Sequence, residues 1–396
     1  MQTKILIALV ILILQPVLWV GVLRTYLISK NRIQETRSQF RNAIYPRHFE
    51  IWQFVINFII LGILGSVVTV IVGPVVSVLW LLIYQVLLLI NLAVVPGALF
   101  SVEIMVISAI GAMLISLDGF INQFLNPKLL SDYGINLTAP HEFNYVLLVS
   151  LFLFGLAVIV AKDGGKFNVP IIERNERQTR IAGYPFRSIN VAPLLLFVPG
   201  DWIHSLFQYW PVFTLNGHSL AFLLVPIGFG FRMTVFKRQP REVFKQLASQ
   251  LTKLAILGLA LAVASYFFPV AAIPSIAGLL LVFWWLLMHA KSVDKAAGDW
   301  YSEVINGVRV IGVEPDTPAD KMNLVIGDVI LEVNNTAVTN EDEFYQALLK
   351  QSTYCRLKLK TRKGQLAIAE TAIFSNAPHE IGVILFKGER ESESES

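Results

Sequence analysis

Apolar positions run in long unbroken stretches as far as Ala290, and after Lys291 they alternate with polar ones over short distances. A helix needs roughly 20 predominantly apolar residues to cross a bilayer core. Nine stretches approach that length: Ile5–Val22, Phe54–Val72, Val75–Val95, Ala98–Leu117, Tyr145–Ala161, Val191–Trp210, Leu220–Phe236, Leu254–Phe268 and Val270–Ala290. The pattern predicts an all-α membrane bundle of seven to nine transmembrane helices. The range reflects three weak stretches. Gln15 and Pro16 interrupt the first, Pro199, Gly200 and Asp201 interrupt the sixth, and Leu254–Phe268 is short. The first stretch reads as a retained anchor, because it has little basic character before it beyond Lys4 and no clear small-x-small cleavage site.

From Gly307 the period changes to that of strands and turns. Val308–Val313 alternates and predicts a strand, and Pro315–Ala319 predicts a turn into a short helical stretch, Asp320–Asn323. Gly327-Asp328 marks a tight turn before a strand at Val329–Asn334. Asn340 is placed to cap a helix with Glu343 three residues on, and Phe344, Ala347 and Leu348 give that helix one apolar face. Strands are expected at Tyr354–Thr361, Gln365–Phe374 and Ile381–Phe386. The reading is therefore a membrane domain over 1–295, a small α+β domain over 300–388, and a disordered acidic Ser/Glu tail over 389–396.

Composition agrees with this division. Hydrophobic residues make up 55% and charged residues 15%, with a mean hydropathy of +0.61. Soluble domains carry about 45–50% and about 25%. The net charge of +4 comes mostly from loops between apolar runs, so a topogenic role explains it better than nucleic-acid binding. Lysines and arginines gather in 24–50, 162–190 and 237–253, whereas 118–144 holds only Lys128 against Asp118, Asp132 and Glu142. Nine crossings with the N-terminus outside satisfy every loop and put the C-terminal domain in the cytosol. The one cysteine, Cys355, excludes an internal disulfide and reads as a small buried residue.

Ionisable groups at membrane depth are costly, which singles out Glu103 and Asp201. Each stands alone in its stretch, a thin basis for transport and a common one for helix packing. Motifs for catalysis are not met. His141-Glu142 and His379-Glu380 lack the second histidine of a zinc-protease helix, and Gly217-His218-Ser219-Leu220 lacks the second glycine of a nucleophile elbow. The sequence thus predicts no enzyme, no metal and no cofactor.

The segment GVRVIGVEPDTPADKMNLVIGDVILEVNNTAV resembles the core of bacterial PDZ domains in Pro318-Ala319, Leu324, Gly327-Asp328, Ile330 and Val333-Asn334. It departs from them at Met322-Asn323, where Ala-Gly is usual, and at Asn335, where Gly is usual. Such domains bind an extended peptide by strand addition, capturing its carboxylate in a backbone nest. The resemblance places a permuted nest at Glu380–Val383 and a groove between Ile381, Gly382, Val383 and Leu385 on one side and Phe344 and Leu348 on the other. The competing reading makes Gly382 a turn or bulge in a structural strand.

Many spans followed by one C-terminal PDZ-like domain resemble the MinJ family of low-GC Gram-positive bacteria. Gln15-Pro16, Gly183-Tyr184-Pro185-Phe186 and Pro199-Gly200-Asp201-Trp202 add looser matches. The resemblance implies a scaffold in the cytoplasmic membrane, enriched at septum and poles, that links a DivIVA-like polar protein to MinD-like and MinC-like division inhibitors. Membrane lipids are expected partners and nucleic acid is not. A protease regulator presenting substrates through its PDZ domain, or a transporter with a sensory PDZ domain, are the other readings of the same layout.

Overall fold

The computed structural model describes residues 15–40, 44–45, 48–95, 100–116, 141–174, 180–200, 212–215, 218–297, 301–302, 304–351, 353–362, 364–372 and 381–386. Its membrane half holds helices α1 (Pro16–Phe40), α2 (Phe49–Val72), α3 (Val78–Val94), α4 (Ser101–Ser116), α5 (Phe143–Asp163), α6 (Pro240–Phe267) and α7 (Ala272–Ala296). Four helical segments are long and apolar enough to cross a membrane: Phe49–Val72, Phe143–Asp163, Pro240–Phe267 and Pro269–Ala296. Val78–Val94 and Ser101–Ile115 are apolar but shorter. Local chemistry sets several of these boundaries. The hydroxyl of Ser77 accepts from the Trp80 N–H to start α3, and Gly73, at φ 74°, ends α2 with a left-handed turn that its sequence neighbours would resist. Helix α5 is the buried centre of the bundle, whereas α2 presents Trp52, Ile59, Ile63, Leu64 and Ile71 outward, an apolar face suited to lipid.

Two expected spans are not helices. Val191–Trp210 and Leu220–Phe236 fall on strands β2 (Arg180–Pro199) and β4 (His218–Val235), which pair antiparallel in continuous register from Tyr184↔Val235 to Pro199↔Leu220. The short strands β1 (Ile171–Arg174) and β3 (Val212–Leu215) extend the sheet in the order β1-β2-β4-β3. Hydropathy measures how apolar a stretch is, not its backbone. The prolines at 193, 199 and 226 and the glycines at 228 and 230 disfavour a long helix there. The expected loops are corrected as well: α1 runs through most of 24–50, and 162–190 contains β1 and half of β2. Residues 5–14 of the first expected span lie outside the described residues, as does the Asp201–Trp210 end of the sixth. The other seven expected spans each fall at least partly on a helix; among the described residues four of these helices are long and apolar enough to cross a membrane and two more are apolar but shorter, all packed around the hairpin.

An open sheet edge is not tolerated in hydrocarbon unless protein covers it. Here the surrounding helices supply the missing partners. Outward backbone groups fall on odd residues of β2 and on their partners in β4. Ser66 Oγ accepts from Leu195 N (3.0 Å) and donates to Pro193 O (3.3 Å), and Thr69 Oγ1 donates to Leu195 O (2.7 Å). Thr25 Oγ1 reaches Ile189 O (3.3 Å), and Val76 N reaches Phe197 O (2.9 Å). On the other edge, Gln15 donates to Leu224 O, Gln85 to Pro226 O and Ser101 to Gly230 O, while Tyr84 Oη accepts from Gly228 N (2.9 Å). Prolines 185, 193, 199 and 226 share this parity, so each places its missing N–H where no ladder bond is lost.

The C-terminal half follows the expected elements closely. Strands β5 (Val308–Val313), β6 (Val329–Val333), β8 (Tyr354–Lys360), β9 (Leu366–Ala372) and β10 (Val383–Leu385) order as β10-β5-β6-β8-β9, and β7 (Thr336–Ala337) pairs with β6. Helix α8 (Pro318–Lys321) and helix α9 (Glu341–Leu349) complete it. Asn340 Oδ1 accepts from Glu343 N (2.7 Å), and Glu343 Oε2 accepts from Thr339 N (2.7 Å) and from its hydroxyl (2.8 Å), a reciprocal cap. Those hydrogen bonds to the charged form hold the Glu343 carboxyl below its ordinary value.

The two halves meet at the foot of the hairpin. Tyr184 Oη donates to Ile311 O (2.9 Å), and its ring stacks edge-on against Tyr301 at 4.9 Å. Ala182, Ile311, Ile326 and Phe386 close an apolar seam around the two tyrosines. Asp294, near the end of α7, accepts from the backbone N–H groups of Phe236, Lys237 and Arg238 at 2.8–3.2 Å and fixes the turn that leaves β4. Arg362 then donates to Gln239 Oε1 (3.0 Å) across the seam.

Candidate peptide groove and membrane-depth polar sites

Strand β10 lies at the sheet edge, the position from which strand addition proceeds. Its partner is β5, through Val383↔Val313, Ile384↔Gly312 and Leu385↔Val310, with a bulge between Ile384 and Leu385. The edge is therefore short and twisted, which limits how much backbone it offers. Alternation sends Val383 and Leu385 into the C-terminal core, while Ile384 turns toward the seam with the membrane half.

Five of the expected groove residues converge. Phe344, Leu348, Ile381, Val383 and Leu385 occupy one apolar cluster, with exposures of 0–5%. All five belong to the packed core of the C-terminal half, so a peptide side chain would reach them only by displacing core contacts. Gly382 differs from them. It has φ 81°, and a Cβ there would lie 2.3 Å from Thr317 Oγ1. Its carbonyl accepts from Glu314 N (2.8 Å), and the Ile381 carbonyl accepts from Ala319 N (2.9 Å). The 381–382 turn is thereby strapped to the loop before α8, which makes the glycine necessary to the fold whether or not it also serves a ligand.

The departures from the usual PDZ pattern fit the backbone. Asn323 (φ 56°), Asn334 (φ 49°) and Asn335 (φ 65°) all take left-handed angles, which Asn tolerates better than other side chains apart from Gly. Asp328 accepts from Val325 N (3.0 Å), and its burial pushes the carboxyl above its ordinary value. Cys355 is buried in β8, where desolvation pushes its thiol up to about 12, a neutral packing group rather than a nucleophile.

Of the two carboxylates expected at membrane depth, Asp201 lies outside the described residues. Glu103 sits in the first turn of α4, where a carboxylate suits the helix dipole, and Glu103 Oε1 accepts from Trp284 Nε1 of α7 (2.9 Å). That contact fits the helix-packing reading. It also opens onto a cleft of about 440 Å³ that Arg232 and Lys291 line.

Hydropathy also hid a buried polar cluster. Asn57 Nδ2 donates to Asp163 Oδ2 (2.8 Å) and Asn190 Oδ1 (3.1 Å), and Lys162 Nζ donates to Asn57 Oδ1 (2.8 Å). The lone Asn57 within an apolar run was the available signal. It pins α2, α5 and β2 together, since a buried amide left without partners is costly.

Comparison with known proteins adds three observations. A family model described as "PDZ domain" matches residues 287–371. The chain is 29% identical over 393 residues, 96% of its length and 98% of the relative's, to a protein named "Probable cell division topological determinant MinJ" from Lacticaseibacillus paracasei, and equally to one of that name from Lacticaseibacillus casei. It is 34% identical over 205 residues, 51% of each chain, to "Cell division topological determinant MinJ" from Bacillus subtilis. The resemblance read from the PDZ core and the many-span layout thus extends along nearly the whole sequence.

Proposed function

We propose that this chain, a homologue of the MinJ proteins, is a cell division topological determinant that works as a membrane-bound adaptor. The observation that carries this is co-linear similarity over 96% of the chain to relatives bearing that name, together with the PDZ match at 287–371. The physical layout supports it. An adaptor needs lasting residence in the bilayer and a docking face in the cytosol. Apolar helices provide the first, and the edge strand β10 beside α9 supports the second.

In this reading the domain over 300–388 faces the cytosol. The basic segments support that side: Lys237, Arg238 and Arg362 lie where the two halves meet, so the positively charged end of the bundle is also the end that carries the C-terminal domain. The partners are a DivIVA-like polar protein on one side and a MinD-like ATPase with its inhibitor on the other. Ile381–Leu385 and α9 form the docking face, which opens when a partner strand pairs with β10.

The test is a crosslinking pull-down from membranes of the full chain and of a chain ending before residue 300, alongside septum placement in a deletion strain. Recovery of division proteins, with minicells or filaments on deletion, is expected. Midcell septa of normal frequency in the deletion strain would overturn the reading. Accumulation of an uncleaved membrane protein would instead favour the protease regulator, and a substrate flux lost in Glu103→Gln would favour the transporter.

A further inference from the structure

We propose that the cleft between α4 and α7 seats the phosphate-bearing headgroup of an anionic phospholipid, held by Arg232 and Lys291. The cleft of about 440 Å³ is lined by Ser101, Glu103, Arg232, Trp284, Met288 and Lys291, among others. That volume lies within the ~300–1,000 Å³ typical of sites for small ligands. Arg232 reaches it from β4 and Lys291 from the last turns of α7. Neither cation makes a hydrogen bond or ion pair with any described residue, and the carboxylate in the cleft, Glu103, is engaged by the Trp284 indole.

The strand register sharpens the point. Arg232 stands directly opposite Arg187 in the β2–β4 ladder. Like charges at facing positions repel, and since Glu35 and Glu173 act on Arg187 while Arg232 alone of the two lines the cleft, an anion there would meet the charge of Arg232. The first turn of α4 also lines the cleft, and the positive end of its helix dipole favours negative charge, partly offset by Glu103.

A lipid fits better than a soluble anion because of the rim. Phe100, Trp284 and Met288 line the cleft while remaining 43–64% exposed, and the neighbouring Trp285 is 57% exposed. An aromatic and aliphatic rim suits acyl chains, and tryptophan suits the headgroup level. Basic pockets between helices at the cytosolic level are the chemistry by which acidic headgroups are recognised. The inference rests on the bilayer placement in the proposed function, and not on the division role.

The experiment is native mass spectrometry of the full chain purified in detergent and titrated with phosphatidylglycerol or phosphatidylcholine. Retention of phosphatidylglycerol over phosphatidylcholine is expected. Arg232→Gln with Lys291→Gln should lower that retention about thirtyfold, the equivalent of ~2 kcal/mol at ~1 kcal/mol per cation. Lys245→Gln with Lys253→Gln, which removes equal charge elsewhere, should leave it unchanged. Glu103→Gln should raise it, so a poorly folded double variant does not shield the idea. Equal retention of both lipids, unchanged retention in the double variant, no rise in Glu103→Gln, or full competition by glycerol phosphate would each overturn it. Loss of lipid retention with normal septum placement would separate this site from the adaptor role.

Discussion

The molecule contains two β-structures that solve the same problem differently. The β2–β4 hairpin lies inside a ring of apolar helices, and its outward carbonyls and N–H groups are met by Ser66, Thr69, Tyr84, Gln85 and Ser101. The C-terminal sheet keeps one edge, β10, to three residues with a bulge. In lipid an unmet backbone group costs several kcal/mol, so the first edge has to be closed. In water an open edge is tolerable and useful, provided it is too short and irregular to recruit unintended strands. Polar residues inside an apolar run thus report the backbone around them as readily as a transport path.

The largest effect should come from the edge that stays open. Gly382→Val places a branched side chain at φ 81° against Thr317, adding backbone strain to overpacking. A loss of about 4 kcal/mol is expected, seen as unfolding of the C-terminal half in a melt followed by proteolysis. Retained folding would mean that this turn relaxes and that the edge is less constrained than its contacts imply.

The closed edge is tested next. Ser66→Ala with Thr69→Val removes the partners of Leu195 N, Leu195 O and Pro193 O. At ~1 kcal/mol for each lost bond, the membrane half should lose about 3 kcal/mol in a detergent melt. A neutral result would show that the hairpin does not depend on its helices for backbone partners.

A smaller effect is expected at the seam. Tyr184→Phe leaves Ile311 O without its donor and should cost about 1 kcal/mol, with faster tryptic release of the C-terminal half. The packing of Tyr184 on Tyr301 would remain, so full release is not expected.

The mildest test concerns the sheet core. Burial pushes the Cys355 thiol up to about 12, against about 8.5 unfolded. The folded form therefore keeps its proton where the unfolded form has lost it. The contribution to stability is complete below pH ~8.5 and is lost as pH rises toward 12. Maleimide at pH 7.5 should label Cys355 only after denaturation, and Cys355→Ala should flatten the alkaline fall in stability.

Legibility in the sequence tracked how local the determining physics was. Val308–Val313, the Asn340–Glu343 cap and the left-handed asparagines follow from alternation, capping and turn chemistry within a few residues, and all were readable. The hairpin was not, because its stability rests on partners more than a hundred residues away, such as Ser66 with Leu195. The prolines and glycines of the two runs were the local hints, with Pro193 and Pro226 facing each other at non-ladder positions. The apolar face of α9 was legible but its burial was not, since helical spacing assigns Phe344 and Leu348 a face without saying what fills it. The cleft beside Glu103 was half legible. Glu103 stood out as a membrane-depth carboxylate, whereas Arg232 and Lys291 join it only through folding.

The proposed function requires that the C-terminal PDZ-like domain stand at the cytosolic face of the apolar helices. A single reactive thiol at the exposed end of α9, Lys350→Cys in a Cys355→Ala chain, reports which side that domain occupies. A membrane-impermeant maleimide should label this chain in inverted vesicles and leave it unlabelled in intact cells. Labelling in intact cells would put the domain outside and contradict the account.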